Sequence, residues 1–180
     1  MKFTKMQGAG NDYVYINCLA ENLPEEARSA LAVKLSNRNF GIGSDGLICI
    51  CPSDKADFRM DMYNADGSRS GMCGNGIRCV GKYVHDRGLT DKTELVIETG
   101  AGLRRLSLAL ADGQVSAVTV DMGAPIFTPA EIPVLAEGES FIAQTVEVDG
   151  RAWKVTALSV GNPHAVVFVE EDVETLDLLR

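Results

Sequence analysis

The stretch GMCGNGIRC, residues 71–79, places a cysteine and two glycines directly before an amphipathic pattern. Ile77 and Val80 begin an apolar repeat at helical spacing, and Gly88 suits the position just after a helix. The pattern predicts a helix that begins immediately after Cys73. The thiol at its start has three open roles: packing in a tight turn, metal coordination, or reaction as a thiolate.

The spacing of the cysteines bears on the metal and disulfide alternatives. No Cys-x₂₋₄-Cys pair with further cysteine or histidine ligands is present, which argues against zinc. An odd number of cysteines, in a chain without a secretion signal, argues against a disulfide framework. Cys49 and Cys51 lie in the apolar run GLICICP and are expected to pack as small buried side chains. We therefore predict no metal site and free thiols at Cys18, Cys49, Cys51, Cys73 and Cys79.

The composition of the 180 residues is that of a globular protein, with 46% hydrophobic and 23% charged residues. A formal net charge of −8 argues against binding to a phosphate backbone. No apolar run approaches the roughly 18 residues that a membrane span requires, and the N-terminus lacks the apolar segment of a signal peptide. We expect a cytoplasmic protein with no nucleic-acid partner and no membrane partner.

The first part of the chain carries both strand and helix signals. A turn at Gly8 and Gly10 separates two predicted strands, and a first helix is expected from Pro24 to about Asn37. Two more strands are predicted in LICIC and DFRMDMYN, the second half-buried, before the second helix. From Glu94 the apolar period changes to two, which predicts strands. These elements place the chain in the α/β class, of the α+β type.

The later part of the chain is expected to form hairpins and a second domain. Strong hairpin signals come from the pairs Asp112-Gly113 and Asp149-Gly150. Three prolines at positions 125, 129 and 133 argue against a helix and predict a linker. We therefore assign residues 1–122 to a first domain and residues 123–180 to a second.

Two similar segments suggest an internal repeat. GNDYVYIN begins at Gly10 and GNPHAVVFV at Gly161, and each sets a Gly-Asn pair before an apolar strand. In a true repeat, the counterpart of Cys73 would lie beyond Arg180. Chance similarity between two glycine-plus-strand segments is the alternative.

The predicted position of Cys73 at a helix N-terminus favours a reactive thiolate. Unpaired N–H groups and the positive end of the helix dipole stabilise a thiolate at a helix N-terminus. Gly74 and Gly76 lack a Cβ, so a ligand carboxylate can approach these N–H groups closely. Asn75 adds an amide, and Arg78 adds positive potential. The motif alone leaves a packed, inert cysteine equally open.

Asn64 favours the reactive alternative. It ends a predicted strand directly before ADGS, where its side chain either forms an Asx-turn or holds a ligand. Polar groups at strand ends on a rigid scaffold are common in binding sites, so we include Asn64 in the candidate site.

Four motifs in order resemble the diaminopimelate epimerase family: MQGAGNDYVYIN, NFGIGSDGLI, YNADGSRSGMCGNGIRC and SVGNPHAVVFVE. The resemblance covers nearly the whole chain. It implies a diaminopimelate epimerase-like fold of two pseudo-symmetric α/β domains, each with sheet strands around a central helix and with the active site between them. The second domain is then incomplete in this sequence.

The resemblance also implies an activity. Members of the family epimerise LL-2,6-diaminopimelate to the meso isomer, in lysine and peptidoglycan precursor biosynthesis, without any cofactor. One cysteine removes the α-proton as a thiolate, while a second cysteine delivers a proton from the opposite face. By motif match Cys73 is the first-domain cysteine, the partner is a small-molecule substrate, and a homodimer is suggested.

The resemblance assigns further residues to the site. His164 matches a histidine thought to influence the ionisation of the cysteines, although from the sequence alone a core histidine is equally open. Asparagine amides can bind both the ammonium and the carboxylate groups of a zwitterion. The positions that match substrate-binding residues are Asn11, Asn64, Gly74, Asn75 and Asn162.

Two departures from the family bear on these expectations. Gly46 stands where some members carry a substrate-contacting glutamine, so a backbone group or water would replace that amide. The sequence reaches Arg180 before the family's second cysteine and its Glu-Arg pair, so we expect the 180-residue chain to be inactive alone. Two alternatives remain: an isomerase like proline or hydroxyproline racemase, against which Asn75 argues because that turn usually reads Met-Cys-Gly-His-Gly, and a non-catalytic α/β fragment.

Overall fold

The computed structural model describes residues 1–176. The chain divides into two compact units, Met1–Met122 and the residues from Gly123 on. Among the described residues, no helix is long and apolar enough to cross a membrane. The elements of the first unit are β1 (Thr4–Gly8), β2 (Asn11–Asn17), α1 (Glu25–Ser36), β3 (Gly46–Cys51), β4 (Phe58–Asn64), β5 (Arg69–Ser70), α2 (Gly74–Asp86), β6 (Glu94–Thr99), β7 (Gly102–Ala111) and β8 (Gln114–Val120).

Both helices begin and end where the sequence predicts. Pro24 precedes the first residue of α1 and Asn37 follows its last. Cys73 is the N-cap of α2, and Gly88 has a φ of 67° just beyond the C-cap residue Arg87. A positive φ costs glycine little, so Gly88 can end the helix in the left-handed region. The hairpin expected between β7 and β8 is also present.

The first unit is built on one curled sheet with the strand order β1-β2-β3-β4-β6-β7-β8, and β5 pairs with β4. The pairs β2–β3 and β4–β6 are parallel, and the other pairs are antiparallel. Parallel neighbours need a crossover connection. Helix α1 lies in the first crossover and α2 in the second, so the parallel pairs explain why the helices fall where they do.

The two helices pack on different faces of the sheet. Helix α2 contacts both β1 and β8, so the sheet curls around it. Its apolar side joins a core that includes Tyr15, Ile48 and Leu106. Helix α1 covers the other face of β2, β3 and β4, where a smaller core forms around Val14, Leu47 and Cys49. The start of α2 is thereby held on a rigid scaffold.

Strand β4 differs from the expected half-buried strand. Asp61 is only 3% exposed, and its Oδ2 accepts a hydrogen bond from Nη1 of Arg28 at 2.7 Å. Arg69 Nε donates to the other carboxylate oxygen at 2.8 Å. Because α1 covers the face where polar side chains were expected to meet water, the strand buries both faces and Asp61 is paired with arginine. The expectation of a half-buried strand was wrong for this reason.

The second unit contains a three-stranded antiparallel sheet in the order β11-β10-β9. Its strands are β9 (Phe141–Val148), β10 (Arg151–Ser159) and β11 (Pro163–Val167). Asp149 and Gly150 have φ angles of 53° and 75°, which confirms the predicted hairpin between β9 and β10. The proline-rich segment includes one 3₁₀ turn, Pro129–Glu131, where we expected no helix. Proline fits this first turn because its fixed φ is helical and its missing N–H would have no partner there. That the unit is the start of a pseudo-symmetric domain stays a prediction.

Candidate active site

Cys73 occupies the N-cap of α2, and its backbone is extended, with φ −137° and ψ 111°. The N–H of Gly76 donates a hydrogen bond to Cys73 Sγ at 3.3 Å. The first N–H to bond within the helix is that of Ile77, which donates to the carbonyl of Cys73 at 2.9 Å. The N–H groups of Gly74 and Asn75 come before that bond and point out of the helix start. The half-buried thiol therefore lies beside several backbone donors.

The two glycines of the turn differ in how much space a side chain would have. A Cβ added to Gly76 would lie 2.7 Å from Cδ1 of Ile48, so any side chain here requires Ile48 of β3 to shift. A Cβ at Gly74 would meet only the thioether of Met122, at 3.6 Å. Gly74 is therefore free of a steric requirement, and its missing side chain leaves the adjacent N–H groups open to a ligand.

Asn11 and Asn75 lie together beside the helix start. Nδ2 of Asn75 donates to Oδ1 of Asn11 at 2.8 Å, and Nη2 of Arg78 donates to Oδ1 of Asn75. Nδ2 of Asn11 in turn donates to Oδ2 of Asp45 at 3.3 Å. The structure thus brings together Cys73, Asn75 and Asn11, three of the residues that the sequence predicted for the site.

A charged cluster supports the Asn11 end of this group. Arg38 donates to Oδ1 of Asp12 at 2.7 Å and to Oδ1 of Asp45 at 2.9 Å. Lys5 lies 3.0 Å from the other oxygen of Asp12. The hydrogen bond from Arg38, with help from Lys5, holds the pKa of Asp12 well below its usual value. Basic side chains therefore neutralise the two aspartates, which lie near the first residues of β2 and β3.

Asn64 makes local hydrogen bonds. Its Nδ2 donates to Oγ of Ser68 at 2.9 Å, and its N–H bonds to the Ser68 carbonyl at 2.8 Å. These contacts belong to the turn after β4, but they are not the Asx-turn of the sequence alternative, because the Asn64 side chain donates, and Asp66 Oδ1 accepts from the Ser68 N–H instead. Tyr13, Gly46 and Asn64 lie in one row across β2, β3 and β4. Asn64 is thus at the same end of the sheet as Asn11 without a hydrogen bond to it.

The row also explains Gly46. A Cβ at this position would lie 2.2 Å from the carbonyl oxygen of Tyr63 and 3.2 Å from a ring carbon of Tyr13. Any side chain here requires the strands to move apart. A glutamine at this position would therefore require β3 and β4 to move apart.

Tyr13 and Tyr15 are site neighbours that the sequence reasoning missed. They share a face of β2 with Asn11, because alternate residues of a strand point the same way. Tyr15 donates to the carbonyl of Gly76 at 3.2 Å, and the hydroxyl of Tyr13 lies close to the thiol of Cys73. Burial, and then the contact with Cys73, raise the pKa of Tyr13, so its phenol stays protonated as a donor. The alternation Asn-x-Tyr-x-Tyr was the signal that could have identified them.

The other cysteines lie in different surroundings. Cys49, Cys51 and Cys79 are buried, which confirms the expectation for Cys49 and Cys51. Burial raises the pKa of Cys79, and a hydrogen bond with Cys49 is the main cause that raises the pKa of Cys18 to about 11. In the described part of the chain, no group of three or more His, Cys, Asp or Glu side chains is arranged to hold a metal ion.

The two remaining predicted residues lie in the second unit. Asn162 is exposed in the turn between β10 and β11, where its carbonyl accepts from the N–H of Val160 at 3.2 Å. His164 is exposed on β11, in register with Leu158. Within the described residues it is not part of a core. The roles of both residues stay predictions.

Solved structures show the class of fold. A hydroxyproline epimerase from Agrobacterium vitis superposes with a TM-score of 0.65 at 14% identity, covering 92% of this chain and 50% of that one. A phenazine biosynthesis protein of the PhzF family from Bacillus anthracis gives a TM-score of 0.59 at 20% identity, covering 92% and 53%. The chain therefore has the α/β fold of the diaminopimelate epimerase type, shared with racemases and isomerases, as the resemblance predicted.

Sequence comparison gives the family within that class. The sequence model described as diaminopimelate epimerase matches residues 3–128. A diaminopimelate epimerase from Agathobacter rectalis is 57% identical over 178 residues, covering 95% of this chain and 62% of the relative. One from Acetivibrio thermocellus is 55% identical over 170 residues, covering 94% and 60%. The chain belongs to the diaminopimelate epimerase family, and it spans about 60% of the length of these relatives.

Proposed function

We propose that the chain is part of an enzyme that epimerises LL-2,6-diaminopimelate to meso-2,6-diaminopimelate without a cofactor. Family membership supports the reaction, and the surroundings of Cys73 support its chemistry. The single observation that carries the proposal is the thiol at the N-cap of α2, which accepts from Gly76 N–H and lies next to the Asn11–Asn75 pair.

Cys73 acts in this proposal as one of two acid–base groups. Its thiolate removes the α-proton, and a thiol from a second segment of the enzyme delivers a proton to the opposite face of the carbon. Two groups are needed because inversion requires removal and delivery on opposite sides. The N–H of Gly76 and the phenol of Tyr13 stabilise the Cys73 thiolate before the proton is taken.

The charge that develops on the substrate needs fixed donors. Removal of an α-proton places negative charge on the adjoining carboxylate, and preorganised N–H groups stabilise such charge most effectively where water is excluded. The N–H groups of Gly74 and Asn75 at the start of α2 are suited to this role. Asn11 and Asn75 bind the substrate beside them, while Asn64, Asn162 and His164 remain proposed contacts.

The proposed working form is a cytoplasmic homodimer, as the resemblance implies. Light scattering of the purified protein at the length of its relatives tests the dimer. A monomeric mass at all working concentrations would reject that part of the proposal.

The activity is tested by proton exchange in heavy water. The 180-residue chain and a version extended to the length of its relatives are each incubated with LL-diaminopimelate, L-proline or trans-4-hydroxy-L-proline. We expect deuterium at the α-carbon only with the extended chain and diaminopimelate. Exchange with the proline substrates instead would favour the racemase alternative, and no exchange with any substrate would favour the non-catalytic fragment.

A further inference from the structure

Five polar side chains form one continuous line of hydrogen bonds at the start of α2. Arg78 donates to Oδ1 of Asn75, whose Nδ2 donates to Oδ1 of Asn11 at 2.8 Å. Nδ2 of Asn11 donates to Oδ2 of Asp45 at 3.3 Å, and Arg38 donates to Oδ1 of Asp45 at 2.9 Å. The line therefore begins and ends on a guanidinium group.

The ends of the line determine the direction of both amides. A guanidinium group can only donate, so the atom of Asn75 that faces Arg78 must be the oxygen. A carboxylate held by Arg38 accepts, so the atom of Asn11 that faces Asp45 must be the nitrogen. Reversing either amide would set donor against donor or acceptor against acceptor. One arrangement alone satisfies all the contacts.

This arrangement leaves one hydrogen of each amide for a ligand. Each Nδ2 carries two hydrogens, and each uses one of them in the line. Within residues 1–176 the second hydrogen of each amide has no protein acceptor, while each oxygen accepts one hydrogen bond in the line and keeps one lone pair. Asn11 and Asn75 together therefore offer two N–H donors, beside the backbone N–H groups of Gly74 and Asn75.

The charges nearby agree with a negative ligand group. The first turn of α2 has no acidic residue, and its N-terminus carries the positive end of the helix dipole. The acidic neighbours Asp12 and Asp45 are both paired with Arg38. An ammonium group placed here would face the N–H groups at the start of α2.

We propose that Arg78 and Asp45 are positioning residues, which fix the directions of the Asn75 and Asn11 amides so that the pair favours a substrate carboxylate over an ammonium group. The proposal rests on the proposed function for the identity of the substrate. It deepens that function, because asparagine by itself suits either group and only its hydrogen-bond partners make it selective.

The test uses two probes that divide the substrate into its two kinds of polar group. Pimelate has the two carboxylates without the amines, and 1,5-diaminopentane has two amines without carboxylates. Each probe is titrated into the ¹⁵N-labelled, extended chain while the side-chain NH₂ signals of Asn11 and Asn75 are followed. We expect both signals to shift with pimelate and neither to shift with the diamine. Shifts of equal size with the diamine would overturn the proposal without any substitution.

Substitutions then test the two positioning residues. We expect Arg78→Met and Asp45→Asn each to weaken pimelate binding about tenfold, the loss of one well-placed hydrogen bond. Arg78→Lys keeps a donor and should recover most of the affinity. Arg87→Met at the other end of α2 and Asp112→Asn in the β7–β8 turn are matched controls that should bind as the parent does.

The outcomes separate this proposal from the proposed function. Unchanged pimelate affinity in folded Arg78→Met and Asp45→Asn would overturn the positioning roles, whatever the activity. If the extended chain binds pimelate selectively but exchanges no α-proton, the amide directions are supported and the proposed epimerase activity is rejected. Chemical-shift spectra of each variant without probe confirm that it is folded.

Discussion

Cys73 and Gly76 are joined by a hydrogen bond in which the Gly76 N–H donates to the Cys73 sulfur at 3.3 Å. Through this bond the Cys73 side chain caps the N-terminus of α2. The backbone N–H that the cap satisfies is therefore also a donor that stabilises the thiolate. A sulfur anion at this position gains from the backbone donors and the dipole of α2. Its reactivity should therefore exceed that of the other four thiols.

We predict that Cys73 is alkylated at least several-fold faster than every other cysteine of the folded chain near neutral pH. Cys49, Cys51 and Cys79 are buried, and thiolates react where they are both accessible and stabilised. Mass spectrometry of peptides after timed iodoacetamide treatment measures the five rates.

Cys18 is the internal control for this prediction. It is half-buried like Cys73, but a hydrogen bond with Cys49 is the main cause that raises its pKa to about 11. Slow reaction at Cys18 with fast reaction at Cys73 would show that thiolate stabilisation, and not access, sets the rate. Equal rates at the two sites would contradict the account of Cys73.

Tyr13→Phe should slow the alkylation of Cys73 several-fold. The Tyr13 phenol is held protonated by burial and lies close to Cys73, so its removal takes a hydroxyl donor away from the thiolate while keeping the ring in place. Tyr15→Phe is the matched control, because its hydroxyl bonds to the Gly76 carbonyl instead. If Cys73 is alkylated at the same rate in Tyr13→Phe as in the parent, the phenol does not stabilise the Cys73 thiolate.

The sequence was informative where local chemistry decides structure. Pro24 and Gly88 marked the ends of the helices, and the Asp-Gly pairs marked hairpins, because each depends on a backbone preference of a single residue. Cys73 was placed at its helix start by the same local rules.

Long-range pairings were beyond local reasoning. Nothing near Asp61 in sequence indicates that Arg28 will meet it inside the protein, since α1 reaches that face only through the crossover between β2 and β3. The line from Arg78 to Asp45 likewise joins segments that come together only when the sheet curls around α2. Residues of this kind can be recognised from the sequence only when the topology is already known.

Removal of the Asp61 carboxylate should strongly destabilise the first unit. Asp61→Ala leaves the guanidinium of Arg28, which is 6% exposed, without its partner, and breaking a buried pair in this way costs about 3–5 kcal/mol. Glu25→Ala, which removes the exposed partner of Arg69, should cost about 1 kcal/mol or less. Urea unfolding followed by circular dichroism gives both values. Similar losses for the two variants would mean that the Arg28–Asp61 pair is not buried as described.

Acid should weaken the fold in part through Asp12. Its pKa is lowered in the folded chain, chiefly by Arg38, so its contribution to stability is complete above its unfolded pKa of about 4. The contribution is lost as the pH falls below that value toward the lower folded pKa. Asp12→Asn should therefore flatten the decrease in unfolding free energy over this acid range, whereas Asp112→Asn should not. An identical acid profile for Asp12→Asn and the parent would reject the Arg38 pairing.

The central claim is that the Cys73 sulfur exchanges the α-proton of the substrate. The most direct measurement is deuterium incorporation at the α-carbon of LL-diaminopimelate, compared between the extended chain and its folded Cys73→Ala variant in heavy water. The account predicts rapid incorporation with the parent and a loss of at least a hundredfold with the variant, the usual scale of a general acid–base group. Incorporation at the parent rate by Cys73→Ala would contradict it.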